Sequence, residues 1–205
     1  MTPFTIVFTP EARPHGLAGA HVDAPAHSLA DRMDATIEKV ELERLIGRAV
    51  RYDLSHLDLA PGDQVDADEL LACEERMGVR AEAGDIALLH FGWMKKHWAV
   101  GGAGQFYALN SPGLTEAAVK LLYDRGIKAV GCDNIACDQA VKDGVSKYSA
   151  GHLKYWLPND VLLIEELDNL DKLPDTCFFM ALPLKIKNGS GSPVRPIALV
   201  EIKEE

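Results

Sequence analysis

Residues 111–133 read SPGLTEAAVKLLYDRGIKAVGCD, and this stretch predicts a helix that leads directly into a buried strand. Thr115 can cap the helix, and apolar side chains then recur along one face at Ala117, Ala118, Leu121 and Leu122. Gly126 occupies the usual position of a glycine after a helix, and residues 127–132 form a short apolar run before Asp133. A helix that feeds a strand in this way indicates a layered α/β architecture, in which strand ends often hold ligands.

Further helical and strand patterns flank this stretch on both sides. Helices are predicted over 66–76 and ending at 152–156, and strands over 4–9, around 50–54, and over 86–91, 161–164, 178–186 and 197–202. The glycine- and serine-rich residues 188–193 predict a flexible turn between the last two strands. We therefore expect a single domain that spans residues 1–205.

Composition and charge exclude several classes of function. The 205 residues are 47% hydrophobic and 25% charged, which is enough to bury a core. A formal net charge of -10 repels phosphate backbones and anionic lipids, so nucleic acid and membrane surfaces are poor partners. No apolar run approaches the ~20 residues of a membrane span, and the first residues lack a secretory signal pattern. These features predict a cytoplasmic protein with a small-molecule substrate.

The cysteines show no pattern of a disulfide framework or of a thiolate zinc site. They are Cys73, Cys132, Cys137 and Cys177, and no two of them form a C-x-x-C pair. We expect them to be reduced and to serve mostly in packing.

The residues with the clearest chemistry lie in segment 19–27, GAHVDAPAH. His21, Asp23 and His27 are separated by two and by four residues, both even numbers, so an extended strand would project all three to one side, toward a cation or a bound water. Imidazole nitrogen and carboxylate oxygen suit zinc or manganese, and an open coordination position would let the metal acidify water. The same spacing is equally compatible with a loop that displays solvated side chains.

Segment 19–27 also resembles the H-x-G-T-H-x-D-x-P-x-H signature of the cyclase-like metal-dependent hydrolases, the family of kynurenine formamidase and isatin hydrolase. Three later regions resemble the same family in the same order: SPGL at 111–114 with AVGCD at 129–133, IEELDNLD at 164–171, and LPLK at 182–185 with GSPVR at 191–195. The resemblance extends over residues 19–200, and four ordered motifs make chance a poor explanation.

This resemblance implies an α/β fold of the swivelling β/β/α type that assembles as a homodimer or homotetramer. It implies an arylformamidase-like hydrolase that needs a divalent metal, zinc or manganese. Such an enzyme cleaves an amide or ester bond, in a formamide, lactam or lactone, through a metal-activated water. Two other functions are compatible with the sequence: a metal- or small-molecule-binding relative with reduced or lost turnover, and a purely structural oligomeric module.

The resemblance also implies a role for individual residues. His21 and Asp23 match metal ligands, and His152 and Glu165 match the ligands that complete the site. His27 matches the catalytic residue that transfers a proton beside the metal.

Several positions depart from the family pattern. Leu17 stands where the signature has its first histidine, which motivates the alternative of lost turnover. His15 is either a substitute ligand or a solvated surface histidine. Glu166 competes with Glu165 for the ligand position, although the match of 169–171 favours Glu165 and a regular strand cannot turn both side chains inward.

Other polar and aromatic residues have two readings each. His56 and His90 lie among apolar residues, which indicates core or edge histidines. Aromatic side chains at Trp93, His97, Trp98 and Phe106 either pack in the core or line a substrate pocket. Asp133 and Asp138 either support ligand histidines or cap neighbouring elements.

Overall fold

Apolar runs between turn residues become strands in the computed structural model, which describes residues 4–8, 19–98 and 104–201. The described strands are β1 (Phe4–Phe8), β2 (His21–Asp23), β3 (Ile46–Asp53), β4 (Gln64–Val65), β5 (Ile86–His90), β6 (Gly113–Leu114), β7 (Ala129–Cys132), β8 (Val141–Lys142), β9 (Val145–Ser146), β10 (Leu162–Glu165), β11 (Thr176–Met180), β12 (Gly191–Pro193) and β13 (Ile197–Glu201). Nine of these described strands form one sheet in the order β1-β13-β11-β3-β5-β7-β10-β2-β12. The remaining four pair as β4 with β6 and β8 with β9.

The centre of the large sheet is parallel and buried on both faces. Strands β3, β5, β7 and β10 run parallel, and the flanking strands pair antiparallel. Along β5, Ile86 and Leu88 pack into one hydrophobic cluster, whereas Ala87 and Leu89 pack into the other. Burial on both sides explains why these strands are continuous apolar runs rather than alternating patterns.

Four described helices, α1 (Ala67–Met77), α2 (Trp93–His97), α3 (Gly104–Leu109) and α4 (Glu116–Asp124), accompany the sheet. Asp66 caps α1 by accepting a hydrogen bond from the Ala67 amide, and Thr115 caps α4 by accepting one from the Ala118 amide. Gly126 follows α4 with φ +76°, a conformation that favours glycine and turns the chain toward β7. Both helices contribute buried side chains to the cluster on one face of the sheet. No described helix is long and apolar enough to cross a membrane.

The predicted helices over 66–76 and after Thr115 are confirmed, as are the strands over 86–91 and 127–132, with ends that shift by one or two residues. The prediction for 4–9 is confirmed for Phe4–Phe8, and Thr9 lies outside the described residues. The strand expected around 50–54 begins earlier, at Ile46. The helix end expected at 152–156 is a single π-helical turn, Gly151–Tyr155.

Two predictions near the C-terminus are wrong. The strand expected over 178–186 ends at Met180, and residues 191–193 of the expected flexible turn form the edge strand β12 beside β2. Gly191 permits this pairing, because a Cβ atom there would come within 2.7 Å of the Val22 carbonyl oxygen. Pro193 has no amide hydrogen to donate and is tolerated at a sheet edge.

Candidate metal centre

The register of β2 against β10 places three polar side chains together. Glu165 lies directly opposite His21, and Leu163 lies opposite Asp23. Because side chains alternate along a strand, His21 and Asp23 project to the same face, and Glu165 projects beside them at the carboxyl end of β10. Val22, between the two, points to the opposite face and is fully buried in the core.

His152 joins this group from the π-helical turn. Its Nε2 lies 3.6 Å from Glu165 Oε1 and 3.9 Å from Asp23 Oδ2. On the other side, His21 Nε2 lies 3.5 Å from Glu165 Oε2 and 3.8 Å from Asp23 Oδ1. Two ligands of a tetrahedral ion with bonds near 2.1 Å lie roughly 3.4 Å from each other. The structure therefore brings all four expected ligands together at spacings close to those of donors that share one ion.

An unsatisfied buried oxygen provides a second test of the fit. Asp23 Oδ2, which lies among these donor atoms, is buried without a hydrogen-bond partner. Such oxygens are costly in a folded protein unless a cation or water satisfies them. Donor atoms of His21, Asp23 and Glu165 also lie within 4.8 Å of one another. This donor set fits a divalent metal ion.

Asp138 fixes the orientation of the His152 ring. One carboxylate oxygen lies 2.6 Å from His152 Nδ1. The other accepts hydrogen bonds from the amides of Gly151 (2.6 Å) and His152 (3.1 Å) and from the Ser149 hydroxyl (2.8 Å). With Nδ1–H donated to Asp138, the Nε2 lone pair faces Asp23 and Glu165, as metal ligation requires. The structure supports both sequence-based interpretations of Asp138. Its carboxylate accepts hydrogen bonds from the first amides of the π-helical turn, and it also orients the candidate ligand His152.

Glu166 also reaches His21, which a regular strand would forbid. The strand ends at Glu165, and Glu166 takes a left-handed conformation with φ +59°. Its Oε2 consequently lies 3.7 Å from His21 Nδ1, whereas Glu165 lies beside Nε2. The expectation that one glutamate excludes the other is wrong for this reason. Glu166 faces the ring nitrogen that points away from the other donors.

The carboxylates hold protons on both histidines. Burial lowers the pKa of His21, but the neighbouring carboxylates of Glu165 and Glu166 and the charge of Asp23 outweigh it and raise that pKa to about 11. Burial also lowers the pKa of His152, but the charge of Asp138 and its hydrogen bond outweigh this effect and raise that pKa well above its usual value. Burial raises the pKa of Glu165. A metal ion that binds here must displace protons from the imidazoles.

His27 lies at the entrance of the site. It belongs to a short 3₁₀ turn, Pro25–His27, and its Nδ1 lies 3.6 Å from Asp23 Oδ1. The expected extended strand through His27 is wrong, because β2 ends at Asp23 and Pro25 begins the turn. The side chain is 46% exposed and borders a cavity of about 330 Å³ that His152 and Glu165 also line. His27 can therefore contact both a molecule in the cavity and the polar cluster.

Comparison with known proteins assigns the family. Residues 7–139 match the family model described as "Putative cyclase". The chain belongs to the cyclase family. Isatin hydrolase of Roseibium aggregatum is 30% identical over 193 residues, which cover 89% of this chain and 71% of that protein.

Solved structures give the same picture. Isatin hydrolase A from Ralstonia solanacearum superposes with a TM-score of 0.76 at 29% identity and covers 98% of this chain and 82% of its own. Isatin hydrolase A from Labrenzia aggregata, bound to benzyl benzoate, superposes with a TM-score of 0.75 at 25% identity. The match covers 97% of this chain and 84% of that structure. The α/β fold expected from the motifs is confirmed, and the chain is a hydrolase of the cyclase family.

The aromatic residues of this cyclase-family chain do not form the expected wall of the cavity. Trp93 is almost fully buried, with its ring 4.1 Å from the His97 ring. Trp98 packs edge-on against Tyr107 at 5.0 Å. Neither these residues nor Phe106 is among the described residues that line the cavity beside His27. The packing interpretation is supported for Trp93 and Trp98, whereas Phe106 is 41% exposed.

His56, His90 and Asp133 lie outside the cluster. His90 is buried, with its Nδ1 3.2 Å from Asp53 Oδ1, as expected of a core or edge histidine. His56 is exposed, so the core interpretation is wrong there. Asp133 accepts a hydrogen bond of 2.7 Å from the Phe91 amide, which makes it a cap rather than a partner of a ligand. Sequence reasoning missed Ser149, whose only sequence signal is its position three residues before His152.

Replacing Asp138 by asparagine is expected to weaken metal binding by about 10–100-fold, because the His152 ring loses the charged partner that orients it. Competition with a chromophoric chelator would measure the metal affinity. Asp58→Asn is the matched control, since the Asp58 side chain is fully exposed. An unchanged affinity in a folded Asp138→Asn protein would remove Asp138 from the site.

Proposed function

We propose that this chain is a metal-dependent hydrolase that cleaves an amide or ester bond in a small molecule, with zinc or manganese held by His21, Asp23, His152 and Glu165. The observation that carries the proposal is the set of 3.5–3.9 Å separations among their donor atoms, although the residues come from three distant segments. A divalent ion bound there would polarise the substrate carbonyl and lower the pKa of water toward ~7.

The protein's own side chains supply the remaining steps. His27 accepts a proton from the attacking water and donates it to the leaving nitrogen or oxygen, because it is half-exposed at the cavity and 3.6 Å from Asp23. Asp23 keeps the His27 ring near the cluster. Asp138 holds the His152 ring, and Glu166 holds the His21 ring from its Nδ1 side.

The cavity supports a small, compact substrate. Its volume of about 330 Å³ is at the lower end of ligand sites. The lining includes apolar side chains at Leu109, Ile135 and Ala136 and polar ones at Gln139 and Ser146. A flat ring that carries a carbonyl fits such a lining, so we propose lactams, lactones and aryl formamides as substrates. The isatin hydrolases named above support the cyclic amide, and the benzyl benzoate complex of one of them supports the ester.

The test is reconstitution of the chelator-treated protein with zinc and manganese in parallel. Isatin, formanilide and dihydrocoumarin serve as the lactam, formamide and lactone probes. We expect one equivalent or two of metal to bind and turnover of at least one probe to return with it. Metal binding without turnover of any probe would instead establish a binding protein, and absence of both would establish a structural module.

Replacing His27 by alanine is expected to lower kcat by about 10²–10⁴-fold while metal stays bound, because a proton-transfer group contributes that much without being a ligand. Metal content by atomic emission, measured beside kcat on the same sample, checks both parts. His56→Ala is the matched control, since His56 is the other exposed histidine among the described residues. Loss of metal in His27→Ala would make His27 a ligand, and unchanged kcat would exclude it from the reaction.

A metal-binding relative with lost turnover is the second candidate, and Leu17 favours it. Leu17 replaces a histidine of the family signature and has no donor atom. Both Leu17 and the alternative donor His15 lie outside the described residues. Metal affinities of the wild type and of His15→Ala distinguish the cases, because a drop in the variant means that His15 has taken over the role.

We also propose that the protein is a homodimer or homotetramer. Val145 and Tyr148 are large exposed side chains beside the cavity, at 73% and 57% exposure, and Leu153 at the cavity is 47% exposed. An interface between copies would cover them. Light scattering at several concentrations measures the assembly, and a monomer at all of them would overturn this proposal.

A further inference from the structure

Two buried thiols lie in direct contact under the candidate metal centre, and the proposed mechanism uses neither. Cys132 is the last residue of β7, and Cys137 lies in the loop that follows. Both are free, both are fully buried, and their Sγ atoms are 2.7 Å apart. This separation is closer than two unbonded sulfurs normally approach and is within about 0.7 Å of the S–S bond length. Both cysteines are free and buried, as expected of reduced cysteines that serve in packing, but the sequence does not predict that these two are in contact.

The loop between the two cysteines supports both glutamates of the site. The Cys137 amide donates to Glu165 Oε1 at 3.3 Å, and the Glu166 amide donates to the Asn134 carbonyl at 3.1 Å. The Leu167 amide donates to the Cys132 carbonyl at 2.8 Å. A covalent link between the cysteines would thus fasten the segment that holds Glu165 and Glu166.

We propose that Cys132 and Cys137 are a redox modification site that closes to an intrachain disulfide when a peroxide reaches the cavity. One thiol, as its thiolate, attacks a peroxide oxygen, which breaks the O–O bond and gives a sulfenic acid and, from hydrogen peroxide, water. The second sulfur then displaces the sulfenic hydroxyl as water and forms the S–S bond. Two electrons pass from the sulfurs to the peroxide, and both thiol protons leave in water.

Burial sets the conditions under which the pair reacts. Burial raises the pKa of Cys132 to about 11 and also raises the pKa of Cys137. Because the thiolate is the reactive form, the pair stays reduced at rest and oxidises slowly. Ala136, next to Cys137, lines the cavity that Glu165 also lines, so a peroxide bound in that cavity lies one residue along the chain from Cys137.

Oxidation of the whole protein with hydrogen peroxide, followed by alkylation and mass spectrometry, tests this inference. Trypsin should release residues 129–142 as one peptide that is about 2 Da lighter than the reduced form and resists alkylation. Cleavage before Asp133 and Asp138 should leave the two cysteine fragments joined until dithiothreitol is added. Closing this short loop should also raise Tm by about 4–8 °C, reversibly.

Single-cysteine variants provide the controls. Cys137→Ser should lose the mass change, whereas Cys73→Ser, at a buried but unpaired cysteine, should retain it. If Cys137→Ser does not fold, the peptide masses of the oxidised wild-type protein still decide whether the disulfide forms. Sulfinic or sulfonic adducts of about 32 or 48 Da as the end products on the 129–142 peptide, disulfides between chains, or full alkylation after peroxide would each overturn the proposal.

Discussion

Replacing Glu165 by glutamine is expected to weaken metal binding by at least about 100-fold and to remove most metal-dependent turnover. Its two carboxylate oxygens face different histidines, with Oε2 at 3.5 Å from His21 and Oε1 at 3.6 Å from His152. Glutamine keeps the shape but removes the negative charge, and its NH₂ group presents a donor to one of the two imidazoles. The substitution therefore removes the one carboxylate whose two oxygens lie beside both candidate histidine ligands.

The control for this prediction is Glu75→Gln, which makes the same chemical change on the exposed face of α1. Metal affinity by chelator competition, kcat with the active probe and Tm of the metal-free protein should be measured on both variants. Because Glu165 lies against two histidines whose pKa it raises, removing its charge leaves them less compensated, and we expect the Tm of the metal-free protein to fall. Retention of wild-type affinity in Glu165→Gln would show that another residue, such as Glu166, is the ligand.

The candidate ligands could be found from sequence because they occupy regular positions. His21 and Asp23 are two residues apart on one strand, and Glu165 ends an apolar run that a buried strand requires. Strand alternation groups His21 with Asp23, whereas the resemblance of the ordered motifs to the cyclase-like family adds Glu165. Pairing of β2 with β10 then follows from long-range register, which a sequence pattern does not contain.

The contacts of Glu166 and His27 could not be predicted, because they depend on local departures from regular strand geometry. Glu166 reaches His21 through a left-handed backbone, and His27 reaches Asp23 through a proline-initiated turn. Both depart from the strand geometry that even spacing implies. Cys132 and Cys137 meet because the loop after β7 folds back beneath Glu165, and a five-residue separation carries no signature of that return. These three contacts, Glu166 with His21, His27 with Asp23 and Cys132 with Cys137, are set by the tertiary fold and not by a local sequence pattern.

Metal affinity is expected to rise with pH by up to about 100-fold per unit between pH 6 and pH 8. The pKa of His21 is raised to about 11 and that of His152 is also raised, so the surrounding carboxylates favour the protonated form of both imidazoles when no metal is bound. Each must lose its proton to coordinate an ion, and two released protons give a slope of about two in log affinity against pH. The raised pKa of Glu165 acts in the same direction at lower pH.

Isothermal titration in buffers of different ionisation enthalpy would count the released protons, and chelator competition at pH 6, 7 and 8 would give the slope. His21→Ala should reduce the slope by about one, whereas His56→Ala should leave it unchanged. The same pKa shifts stabilise the metal-free fold fully below the unfolded histidine pKa of ~6.5, and this contribution fades as pH rises toward the folded values. Alkaline conditions should therefore destabilise the metal-free protein and favour the metal-bound one. If the metal affinity does not change between pH 6 and pH 8, both histidines are already neutral in the metal-free protein. The carboxylates then do not raise the pKa of the histidines.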